Sequence, residues 1–164
     1  MRILFNADEI LEMAEQIERN GVRFYRQAAE NIDDPGAREL LFELAAMEDD
    51  HEKIFVSMRA EIAKQKDRGV DFDPLDQSAS YLNAWADKNV FNVESNSVEQ
   101  LTGQETMEDI LKMAIGSEKE SIVFYLGFKE ALANKSDREK VEKILKEEMS
   151  HIASLSAKLA EIMN

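Results

Sequence analysis

Along four long stretches of the chain, inward-facing candidates recur in alternating steps of three and four, the spacing that lays side chains on one stripe of an α-helix. The first stripe reads Leu11, Ala14, Glu18, Gly21, Tyr25, Ala28 and Ile32, and the second Leu41, Leu44, Glu48, His51, Phe55, Met58 and Ile62. The third is Leu111, Ala114, Glu118, Ser121, Tyr125, Phe128 and Leu132, and the fourth Val141, Ile144, Glu148, His151, Leu155, Lys158 and Ile162. Boundary signals divide the chain accordingly. Asn6 with Glu9 forms a capping-box start, "DDPG" at 33–36 breaks the chain, Thr106 with Asp109 repeats the start, and Ser136 is a cap for the last helix. Helices are predicted near 6–31, 35–67, 106–133 and 137–162, an all-α bundle of two antiparallel hairpins.

The hairpins, at about 6–67 and 106–162, are joined by a crossover at about 68–105 that carries Tyr81, Leu82, Trp85 and Phe91. Its middle, from Ser78 to about Asn89, is predicted to form a short helix, and its aromatic side chains to pack rather than to bind. Joining two hairpins along the length of a bundle is work that needs such a loop.

The second half repeats the first. Residues 10–62 laid over 110–162 without a gap give fifteen identities in 53 pairs, among them Phe24/Phe124, Tyr25/Tyr125, Glu18/Glu118, Glu48/Glu148 and His51/His151. Compositional bias in helical sequence yields roughly one match in ten, and it does not align both histidines of the chain. A duplicated hairpin predicts two halves related by an approximate two-fold axis.

Composition narrows the chemistry. The chain has 164 residues, enough for one well-buried core, and a single domain over 1–164 is expected. Six glycines and two prolines suit long helices rather than a turn-rich sheet protein. A formal charge of −14 disfavours nucleic acid and anionic lipid as partners, because binding would bring like charges together. No cysteine is present, which excludes disulfides, thiolate metal sites and iron–sulfur clusters. No apolar run is long enough for a membrane span or a secretory signal, so no membrane partner and a cytoplasmic location are expected.

Four glutamates and both histidines therefore point inward. Burying an ionised carboxylate alone costs several kcal/mol, against a net domain stability of only ~5–15 kcal/mol. Two divalent cations would balance the four charges of Glu18, Glu48, Glu118 and Glu148, with His51 and His151 completing the shell as neutral imidazoles. Glu-x-x-His sets both side chains on one face about a turn apart, and a glutamate on each partner helix, Glu18 and Glu118, is then placed to bridge. An isolated Glu-x-x-His is most simply a solvated pair. Two of them on core stripes, each with a stripe glutamate 30 residues upstream, are not. Oxygen-rich donors with one imidazole per ion suit iron or manganese better than structural zinc. Tyr25 and Tyr125, two turns past Glu18 and Glu118, are placed to donate to a bridging carboxylate and orient it.

The motif parts "ERNGVRFY" with "EDDH" and "EKESIVFY" with "EMSH" resemble the ferritin-like di-iron carboxylate superfamily, most closely its rubrerythrin-type branch. The resemblance covers nearly the whole chain and implies metal ligands Glu18, Glu48, His51, Glu118, Glu148 and His151 around two iron ions, with manganese or a mixed pair also admissible. It implies an oxidoreductase that reduces peroxide or dioxygen, the alternative being ferrous iron oxidation and storage or handling. Full-length rubrerythrins carry a rubredoxin domain whose iron needs cysteine, so here electrons are expected from a separate donor protein. Ser121 stands where such proteins tend to have a further glutamate. A homo-oligomer, a dimer in the first place, is also implied.

Overall fold

The computed structural model describes residues 7–64, 77, 80–82, 84–85 and 101–164. Four long helices carry it: α1 (Ala7–Glu30), α2 (Pro35–Lys64), α3 (Met107–Ala131) and α4 (Lys135–Met163). No strand occurs among the described residues, and none of their helices is long and apolar enough to cross a membrane. The predicted cap at Asn6, residues 65–67 of the predicted second helix, and Phe91 lie outside the described residues.

Local chemistry sets the helix ends. Pro35 opens α2, where its missing N–H costs nothing, and the Asp34 carboxylate accepts from the Ala37 amide at 2.7 Å. Asp34 also pairs with Lys158 at 3.1 Å, so the α1–α2 turn is tied to the end of α4. That backbone hydrogen bond, with Lys158 beside it, holds the Asp34 carboxyl below its usual range. Thr106 and Asp109 form the expected reciprocal capping box on α3. The start of α4 differs from expectation. Asn134 is the cap, its side chain accepting from Ser136 N at 2.8 Å and Asp137 N at 3.4 Å, so Ser136 lies inside the first turn. An asparagine two residues earlier reaches two otherwise unpaired amides, which leaves the serine no amide to satisfy. α3 stops at Ala131, two residues before the predicted end, because Leu132 turns to extended backbone (φ −79°, ψ 123°) while its side chain stays buried.

The stripes are the core. All predicted stripe residues from Leu41 to Met58 in α2 and from Leu111 to Leu132 in and just past α3 are buried. In and just past α1 every stripe side chain from Leu11 to Ile32 is buried likewise, the glycine apart. Two apolar clusters result, one toward each end of the bundle. One joins Phe24, Tyr25, Ala28, Leu41, Leu44 and Ala45 to Ile110, Leu111, Ala114 and Leu155. The other joins Phe124, Tyr125, Phe128, Val141, Ile144 and Leu145 to Ile10, Leu11, Ala14 and Phe55. A shift of 100 carries each set into the other, so the duplication in sequence is a two-fold axis in space, crossing the bundle midway. The same grouping makes α1 antiparallel to α3 and α2 antiparallel to α4.

Because α2 ends at one end of the bundle and α3 begins at the other, the crossover has to run its length. Residues 77, 80–82, 84 and 85 within it are helical. Leu82 is buried in the second cluster, the Trp85 ring packs on Phe124 at 4.7 Å between centroids, and the Tyr81 hydroxyl donates to the Val123 carbonyl at 2.8 Å. Gly127 is what lets the Tyr81 ring lie against α3, since a Cβ there would overlap the ring. These crossover aromatics pack, as expected, and they break the symmetry: only the second hairpin is covered in this way by the described residues.

Candidate metal centre

Between the two apolar clusters lies a polar layer. Glu18 from α1, Glu48 and His51 from α2, Glu118 from α3, and Glu148 and His151 from α4 are all buried there. Their ligand-capable atoms form two groups, Glu18/Glu48/His51/Glu148 and Glu48/Glu118/Glu148/His151, each with those atoms within 4.8 Å of one another. The structure thus brings together all six residues singled out by the sequence pattern.

Both imidazoles turn Nδ1 into the layer. His51 Nδ1 lies 3.5 Å from Glu18 Oε2 and 3.3 Å from Glu148 Oε1; His151 Nδ1 lies 3.2 Å from Glu48 Oε1, 3.4 Å from Glu118 Oε1 and 3.0 Å from Glu148 Oε2. The rings face one another, 5.7 Å between centroids and 18° from parallel. Glu18 Oε2, Glu48 Oε1, both oxygens of Glu148 and both Nδ1 atoms are buried without a hydrogen-bond partner. Buried polar atoms are nearly always paired, because an unmade bond in a low-dielectric interior costs about 1–3 kcal/mol. Six orphaned donor atoms converging on two points fit a pair of cations, and the hard oxygens with one imidazole each fit a divalent first-row metal.

One expectation is corrected by this geometry. The carboxylates common to both groups are Glu48 and Glu148, from the Glu-x-x-His helices, while Glu18 and Glu118 each belong to one group. Glu48 reaches the shared position because Gly21 leaves room for it: a Cβ at 21 would stand 2.9 Å from Glu48 Oε2. The tyrosines change role with this. Tyr25 OH donates to Glu118 Oε1 and Tyr125 OH to Glu18 Oε1, so each phenol orients an unshared carboxylate, and one from the opposite hairpin. Burial, followed by the charge of the glutamate each phenol bonds, holds both phenols well above the usual range, which keeps them donors.

Without cations the layer holds protons. Burial raises Glu18 and Glu48, the latter further through repulsion by Glu18, Glu148 and Glu118. Burial and the Glu148 charge push Glu118 up to about 8. For Glu148 burial is outweighed by the nearby His151 and His51 rings, and its pKa falls. Burial opposes charge on the histidines, yet the carboxylates prevail: Glu148 and Glu18 raise His51 to about 11, and Glu118 and Glu148 raise His151 to about 9.

Two neighbours escaped the sequence pattern. Gly21 stood on the predicted stripe only as a small residue, and Glu147 stood beside it. Glu147 Oε2 lies 2.8 Å from His51 Nε2, across the bundle. Ser121, on the stripe, turns its hydroxyl to the Ser117 carbonyl of its own helix at 3.2 Å.

The rubrerythrin family model matches residues 9–159. The chain belongs to the rubrerythrin family. Among solved structures it is similar to a protein from Thermotoga maritima whose assignment as a ferritin-like diiron-carboxylate protein is itself an inference. The TM-score is 0.70 at 23% identity, over 98% of this chain and 99% of that one, which establishes the shared ferritin-like fold. No match is found among curated proteins. Family and geometry agree on a carboxylate-rich di-metal centre in a ferritin-like bundle.

Proposed function

We propose that this rubrerythrin-family chain is a di-iron oxidoreductase that reduces hydrogen peroxide or dioxygen with electrons from a separate donor protein. The observation that carries the reading is the pair of four-residue groups sharing Glu48 and Glu148, six of whose inward atoms are buried without a hydrogen-bond partner. A bound iron pair supplies two electrons to the oxidant, so that peroxide takes up two electrons and two protons and leaves as two waters.

The protein's part is placement. Glu18, Glu48 and His51 with Glu148 would hold one ion, and Glu118 and His151 with Glu48 and Glu148 the other. Tyr25 and Tyr125 fix the unshared carboxylates by hydrogen bonds. The apolar clusters above and below exclude bulk water, which strengthens each electrostatic contact in the layer. Peroxide consumption with a reductant is expected to vanish in Glu48→Ala and Glu118→Ala. Turnover of the wild type no faster than that of free iron overturns the reading.

Ser121 favours a second reading, oxidation and handling of ferrous iron at the same centre. Its hydroxyl is committed to its own helix, and no further carboxylate enters from that position. Solution mass separates the two: a dimer, our proposed assembly, excludes a mineral-storing cage, whereas a large closed shell favours storage. Elemental analysis of protein from its native host distinguishes iron from manganese.

A further inference from the structure

The two-fold symmetry of the polar layer fails at one place, outside the six residues. His51 and His151 are exchanged by the axis, as are the positions of Met47 and Glu147. His51 Nε2 lies 2.8 Å from the Glu147 carboxylate, whereas His151 Nε2 is buried and makes no hydrogen bond. The residue that the axis sets in Glu147's place is a methionine, which offers only a weak thioether acceptor.

We propose that Glu147 is a positioning residue that makes the two metal positions unequal, tightening the one built on Glu18 and His51. With Nδ1 turned to the ion, the His51 proton sits on Nε2 and donates to Glu147. A carboxylate in that role fixes the ring and raises the electron density on the ligating nitrogen. Glu147 is itself steadied by Lys143 at 3.7 Å, and its side chain keeps 31% of its accessible surface, so it is partly hydrated. His151 has no such partner: its Nε2 is buried with no acceptor.

The proposal rests on the di-metal reading, and the experiment keeps the two apart. Metal-free protein is titrated anaerobically with Co2+, following the visible ligand-field bands and the heat of binding. Two ions bound in resolved steps are expected for the wild type. Glu147→Ala is expected to weaken the tighter step by ~10–100-fold and bring the two steps together. Glu147→Gln, which keeps an acceptor oxygen but not its charge, is expected to fall between. Met47→Glu is expected to strengthen the weaker step, a gain that damage to folding cannot mimic. If the wild type binds fewer than two ions, the di-metal reading fails. If it binds two but Glu147→Ala leaves the tighter step unchanged, or weakens both steps equally, Glu147 does not position His51 and the inference is overturned.

Discussion

Removing metal should make the stability of this protein depend on pH in the sense opposite to that of most acidic proteins. Consider Glu118, whose folded pKa of about 8 stands above an unfolded value of 4.5. A carboxyl raised in the folded state binds its proton more tightly there, so its contribution is fully present below the unfolded value. It is lost as pH rises from that value through the folded one. At pH 7 the folded state has forgone about 2.5 pH units of proton release, which at 1.36 kcal/mol per unit is about 3 kcal/mol. Glu18 and Glu48 are raised as well and act with the same sign. So do His51 and His151, whose stabilisation is full below 6.5 and fades as pH climbs toward about 11 and about 9. Glu148 has the opposite sign, but its lowered pKa acts only as pH falls below 4.5. Urea unfolding of metal-free protein, followed by helical circular dichroism between about pH 5 and pH 8, should therefore show falling stability. Glu118→Gln should flatten the slope by up to one proton's worth, ~1.4 kcal/mol per pH unit. Saturating divalent metal, at ~100 times its dissociation constant, should restore ~2.7 kcal/mol. A metal-free stability that is level or rises across this window would refute the reasoning, because the layer would then not be retaining protons.

Gly21→Ala should separate binding from stability. The new Cβ meets Glu48 Oε2 at 2.9 Å and displaces a carboxylate common to both positions, so both ions should bind more weakly. Thermal unfolding of the metal-free form should show no loss, since alanine is favoured over glycine in a helix by up to ~1 kcal/mol. Gly127→Ala should push the Tyr81 ring off α3; Trp85, the sole tryptophan, reports it as a red shift of fluorescence, and unchanged emission would contradict the packing described. Tyr125→Phe removes the donor to Glu18 Oε1, leaves a buried acceptor unpaired, and should cost ~1–3 kcal/mol in urea unfolding, with a measured cost near zero counting against the bond.

The stripes were legible because helical period alone decides which residues share a face, so Glu18, Glu48, His51 and their copies could be placed inward before any contact was known. The duplication added a two-fold axis, and charge arithmetic turned four buried carboxylates into a demand for cations. Pattern stopped at the surface of each helix. Which glutamates are shared depends on how near the helices approach, and Gly21 sets that distance for Glu48 by what it lacks. Asn134 displaced Ser136 as the cap because both are cap-competent in sequence, and only the backbone at that turn selects which oxygen meets two amides. Glu147 stood next to a predicted ligand on its own helix, yet its partner is His51, 96 positions away. Sequence by itself determined the helices, their buried faces and the six residues of the layer. Tertiary structure alone decided how those residues are shared between two positions and why the positions differ, since both depend on distances across the bundle that no single helix encodes.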